Sequence, residues 1–417
     1  MEDRAAAIDP ESAAAIAARF LERDACDCEY YGPECPWLAT GHYEYLTGDD
    51  SIVYEFPLVN KEGKSGYIII SGSRRLSPVL EFCPTGVPLR ESLVKSLAGL
   101  TELRALRSRS VRWRYFGPLD LVAELELDRG GYYYARLPNL LVVETKERLH
   151  PRVPMNTASE EWINARWNYY ETENAPKGNL PCNKMFGIRP IRYNQTCQSS
   201  LDAGGPVTLH EGPTYCTPSC IVGCVPTAWT VLASAWKEIA PKSVADKIFS
   251  DAPDWNQDWL SWTPPPPGSQ GVNRRMWAAH GYMVTTCNGY TQGNYVLGGS
   301  LIFRDFGVNW VFGWRYGVDY AFASSVNKAH QPGLITAQSV WQPGPPDGHA
   351  VVTHGYNDND QHLSVCLGWG SSWPDKWIAF SLLSGTDAHF VSQFERKTSD
   401  IESADELHAP ATFIDNR

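Results

Sequence analysis

The chain has 417 residues, 43% hydrophobic and 12% aromatic with 16 Trp, which excludes the polar, aromatic-poor composition of a disordered chain. Its length allows two to three domains with a sizeable core, so disulfides are not needed to hold it folded. With 47 Asp and Glu against 36 Lys and Arg the formal charge is -11, a field that repels phosphate backbones and anionic lipid, so neither nucleic acid nor a membrane is an expected partner.

No apolar run reaches the ~18 residues that a spanning helix needs. The first residues carry acids where a secretory leader has a basic flank and an apolar stretch, so no export signal is expected at this start. Two localisations stay open: inside the cell, or secreted with a leader that precedes this numbering.

In chain order, Asp9 to Arg23 predicts a helix, with Asp9 as cap and Pro10 in the first turn. Three β-rich runs follow at 52–58, 66–72 and 78–83, separated by turn residues, and they predict a small antiparallel sheet. A second helix is expected over Leu89 to Arg107. Residues 1–110 thus read as a small α+β domain of their own. The charged, Tyr-rich stretch from Ser108 to Lys184 fits neither the helical nor the strand period, and 111–186 is expected to be a connector or processing region. A further domain is expected from about Gly187, over 187–417. Within it TPPPPG at 263–268 and QPGPPDG at 342–348 break helix and strand and read as loops. The charged tail after Phe394 is expected to be solvated, and no repeat of 20 to 50 residues is found.

The most informative stretch is VGCVPTAWTVLASAWKEIA, 222–240. Trp229, Leu232, Ala233, Trp236 and Ile239 recur at three- and four-residue steps, an amphipathic helix with its stripe in a core. Pro226 fits only the first turn, which puts Cys224 at the helix N-terminus, where the macrodipole favours a thiolate. Buried structural cysteines are common, so Cys224 alone does not decide between that role and a catalytic one. A thiol nucleophile needs a base from elsewhere in the chain. GHAVVTHGY, 348–356, supplies one at the start of a β-branched run, and His349 is favoured over His354 because it sits at a loop-to-strand junction. His354 is expected to be a surface or satisfied core histidine. Strands after it are expected on either side of the LGWG turn at 367–370.

These pieces, in this order, resemble the streptopain family of papain-like cysteine proteases. GYIIISGSRRLSPVLEF at 66–82 is similar to that family's propeptide strand pair, IRPIRYNQTC at 188–197 to the opening of the mature enzyme, VGCVPTA to the nucleophile motif, GHAVVTHGY to the histidine motif, and LGWG with DKWIAFSLL to the closing strands. The resemblance implies an α+β fold: a two-lobed protease domain, helices in one lobe and an antiparallel sheet in the other, preceded by a small α+β propeptide. It implies a secreted cysteine endopeptidase made as a zymogen, with Cys224 as nucleophile, His349 as base, no cofactor and no metal. Peptides or proteins are the implied substrate, and its own propeptide the intramolecular inhibitor. Gly348 and Trp369 are the candidate substrate-binding positions.

Two departures from the pattern matter. Where papain-like enzymes carry a Gln that donates to the oxyanion, Pro218 stands and has no donor, so the Cys224 amide with Ser219 or Thr217 is the expected replacement. The Asn that orients the histidine is absent too, with Leu367 in the matching place. A backbone carbonyl in the 366–368 turn is the expected orienting group, and Asp358 is the side-chain alternative. A catalytically weak or inactive peptide-binding relative, or a peptide ligase or cyclase using the same thioester, is the competing reading. The 11 Cys leave ten besides Cys224, enough for five disulfides or for none. Cys216, Cys220 and Cys224 lack the tight pairs of a zinc site, while for Cys26, Cys28 and Cys35 a local disulfide is as plausible as a metal, and no metal is assigned to either group.

Overall fold

The computed structural model describes residues 7–25, 37–47, 51–61, 63, 65–84, 86–98, 111–118, 121–127, 130–137, 141–149, 158–176, 182–184, 223–240, 242–248, 310–315, 319–328, 332–338, 348–367, 375–383 and 389–394. Helix α1 (Pro10–Arg23) opens at Asp9, whose carboxylate accepts from the Ser12 amide at 2.7 Å. Its inner face, Ala13, Ile16, Ala17, Phe20 and Leu21, lies on strands β3 (Ile52–Val59), β4 (Ser65–Ser71) and β5 (Val79–Cys83). The short strands β1 (Trp37–Leu38) and β2 (Tyr43–Leu46) flank β3. Helix α2 (Leu89–Ala98) follows, and the remainder of the expected helix, to Arg107, lies outside the described residues.

Residues 111–145, whose pattern fits neither period, form four antiparallel strands: β6 (Val111–Tyr115), β7 (Leu121–Glu126), β8 (Tyr132–Leu137) and β9 (Leu141–Thr145). The charges that obscure the pattern satisfy one another. Buried Glu124 takes Arg114 at 2.6 Å, with Arg148 and Arg112 at 3.2 and 3.5 Å. Helix α3 (Glu160–Glu171), capped by Ser159, then returns to pack on α1, and β10 (Cys182–Lys184) closes this half of the chain.

The second half holds helices α4 (Cys224–Ile239), α5 (Lys242–Ala245) and α6 (Tyr320–Lys328), with strands β11 (Trp310–Arg315), β12 (Gly333–Gln338), β13 (Gly348–Asn357), β14 (His362–Cys366), β15 (Lys376–Ala379) and β16 (His389–Phe394). The charged tail thus begins after β16, and 395–417 lie outside the described residues. So do the expected domain start at Gly187, the loop at 263–268 and residues 342–347.

The result is a mixed α+β fold with a large sheet and several helices. The sheet runs β11-β16-β12-β13-β14-β15-β5-β4-β3-β2-β6-β7-β8-β9, antiparallel except at β2 and β6. It crosses from one half of the chain to the other at β15 and β5, where Trp377 pairs with Phe82 and Ile378 with Glu81. The hydrophobic core crosses there too, gathering Tyr67, Ile69 and Leu80 with Val351, Val365 and Ile378. No helix among the described residues is long and apolar enough to cross a membrane.

Candidate active site

Helix α4 starts where the sequence places it. Gly223 precedes it at φ +94°, a left-handed conformation that suits glycine, and Pro226 occupies the first turn without disrupting it. Gly223 brings no side chain to cap the helix and the first turn carries no acid, so the positive end of the dipole lies at Cys224 uncompensated by either. The start is held from within: the Thr227 hydroxyl donates to the Gly223 carbonyl at 2.8 Å, and the Thr230 hydroxyl to that of Pro226 at 2.9 Å. Val225, Trp229, Leu232, Ala233 and Trp236 are buried, and α4 packs on β12 and β13. Cys224 is partly exposed and in no disulfide.

His349 is the second residue of β13, opposite Ala337 of β12 and 8% exposed. Its Nε2 lies 2.8 Å from the backbone carbonyl of Leu367, the residue just after β14. A carbonyl only accepts, so Nε2 carries the hydrogen and, in the neutral ring, Nδ1 is the basic nitrogen. A main-chain oxygen therefore fixes both the tautomer and the orientation of the imidazole. Asp358 is engaged elsewhere: the Tyr320 hydroxyl donates to it at 2.9 Å and Lys328 pairs with it at 2.8 Å, both from α6.

The structure thus sets the strand of His349 against the helix of Cys224, and brings the Leu367 carbonyl to the His349 ring. Gly348 opens β13 opposite Gln338. Ser219, Thr217, Pro218 and Trp369 lie outside the described residues. His354 is buried, with Nε2 3.1 Å from Asp375 and 3.4 Å from the Ser364 hydroxyl. A shift of register between Thr353 and Gly355 accompanies that placement, as a bulge re-aims a side chain. The pairing of His354 with Asp375 had no local signal, since the bulge is invisible in sequence. Cys83 and Cys366 are buried and in no disulfide, which removes the possibility of five disulfides.

No family model matches the chain, and no curated protein matches it. Among solved structures, a fragment of Prevotella intermedia prointerpain A carrying a cysteine-to-alanine substitution is similar to 69% of this chain and 100% of its own length, at 14% identity and a TM-score of 0.32.

Proposed function

We propose that the chain is a cysteine endopeptidase made as a zymogen, with Cys224 as nucleophile and His349 as base across the cleft of a two-lobed, papain-like catalytic unit. The observation that carries this reading is the His349 Nε2 contact with the Leu367 carbonyl, on the strand against which the Cys224 helix packs. A histidine held in one tautomer, on a strand packed against the helix that a partly exposed cysteine opens, supports the arrangement that thiolate chemistry requires.

Nδ1 takes the thiol proton, and the sulfur forms a bond to the peptide carbonyl carbon as the C=O electron pair moves to oxygen. The oxyanion is stabilised by the Cys224 amide at the positive end of α4, with Ser219 or Thr217 as a second donor. The imidazolium gives its proton to the leaving amine, and the C–N bond breaks. Water, deprotonated by the same Nδ1, then attacks the thioester and releases the acid and the thiol. Gly348 and Trp369 are assigned to the walls that bind substrate. Conversion of the zymogen is a cut after Lys184 that leaves a fragment beginning near Met185 to Arg192.

A thiol-reactive peptidyl electrophile tests this directly. It should form one adduct, located by mass at Cys224 and lost in Cys224→Ala. Labelling at another cysteine would refute the assignment, while labelling at Cys224 without peptide hydrolysis would favour the peptide-binding or ligase reading.

A further inference from the structure

The halves on either side of that cut are joined by more than the covalent chain. At β5 and β15 they share a backbone ladder. Beside it Lys376 donates to Glu81 at 2.7 Å, to the Tyr67 hydroxyl at 3.3 Å and to the Pro118 carbonyl at 3.1 Å, while Tyr115 donates to the other Glu81 oxygen at 2.5 Å. Lys376 and Glu81 are both essentially without solvent exposure, at 1% and 0%. Trp377, from the second half, is buried in a cluster otherwise built from the first, with Phe20, Phe82, Trp167 and Tyr170. At the far end of β13 and β14, Arg166 of α3 reaches Asp24 at 3.0 Å and Asp360 at 2.8 Å, and the Tyr170 hydroxyl lies 2.7 Å from each carboxylate. Asn357 donates to the Asp24 carbonyl, His362 to that of Val79, and β10 pairs with β13.

We propose that residues 7–184 are a permanent half of the folded unit, so that a chain cut between Lys184 and Gly223 stays together as a two-chain molecule. The cut as a maturation step rests on the peptidase reading; the association does not. Removing the first half would leave β15 as a bare sheet edge, Trp377 without its cluster, and Lys376 with no acid in a site closed to water. Leu367, whose carbonyl orients His349, belongs to the same joined core, in one cluster with Tyr67, Ile69 and Leu80. Regulation by cleavage then acts on the covalent connection, and the first half is retained.

The test uses the full chain carrying Cys224→Ala, with a site-specific protease sequence substituted within 195–205. Because this chain lacks the thiol, the outcome is independent of whether Cys224 is catalytic. After complete cutting, both fragments should co-elute as one species at ~1 µM and separate only in denaturant. Separate elution in native buffer would overturn the proposal. In the cut chain, Lys376→Met should speed dissociation by ~100-fold or more, because it leaves Glu81 buried without its partner. Arg166→Ala, at a more accessible rim, should speed it by ~10-fold and serves if Lys376→Met fails to fold. Unchanged dissociation in both variants would overturn the assignment of these contacts.

Discussion

Glu55 shows how a single buried acid is accommodated. It sits on β3 with no exposure, and its carboxyl accepts from the Tyr45 hydroxyl and from the amides of Leu89 and Arg90 at the start of α2. Burial pushes its pKa up to about 7 against those three donors, which pull it down. The folded state therefore keeps a proton that the unfolded chain gives up, and stability is full below the ordinary value of 4.5 and declines as pH rises to about 7. Glu55→Gln keeps an acceptor and removes the titration. It should flatten the stability profile through this window, where the wild type loses at most ~1.4 kcal/mol per pH unit from this group. Denaturant unfolding at several pH values checks it, and an unaltered slope would point to another group. Leu367 separates main chain from side chain at the site itself. It is 1% exposed in the shared core, so Leu367→Ala should lower stability by ~2–5 kcal/mol. Because the carbonyl remains, kcat of the folded fraction should hold. Asp358→Ala frees Tyr320 and Lys328 and should leave kcat/KM within ~3-fold, whereas a ~10²-fold loss would make Asp358 the group that orients His349.

Among the elements, β14 and β5 are tied by a histidine. His362 donates Nε2–H to the Val79 carbonyl, and burial holds its pKa down at about 3. The folded state refuses a proton that the unfolded chain accepts, so this contribution is full above the ordinary value of 6.5 and is lost as pH falls toward 3. Acid should loosen the seam between the halves first, and His362→Gln should reduce the acid sensitivity of co-elution in the cut chain. A seam equally stable at about pH 4 and 7 in the native sequence would contradict this. The elements with local signals were legible. Asp9 and Pro10 announce α1, Pro226 fixes the start of α4, and β-branched runs mark β3, β4, β5 and β13. Strands β6 to β9 were not, because Arg112, Arg114, Glu124 and Glu126 occupy strand positions where cross-strand pairing, rather than alternation of polarity, satisfies them.

For the whole molecule, sequence suggested a propeptide folded against a protease domain, and the described residues of the two halves share one sheet and one core. Lys376 and Glu81 are 295 residues apart, and no periodicity in either segment announces the other. The candidate site was more legible, since Cys224 at a helix start and His349 at a strand start are both local features, while the Leu367 carbonyl is a main-chain group that every residue carries. The central claim is that His349 activates Cys224, and the alkylation rate of that thiol by iodoacetamide tests it most directly. At about pH 6, His349→Ala should slow alkylation of Cys224 by ~10-fold or more, with the two rates converging near pH 10, where any thiol is ionised without help. Equal rates in the two proteins at about pH 6 would contradict the account.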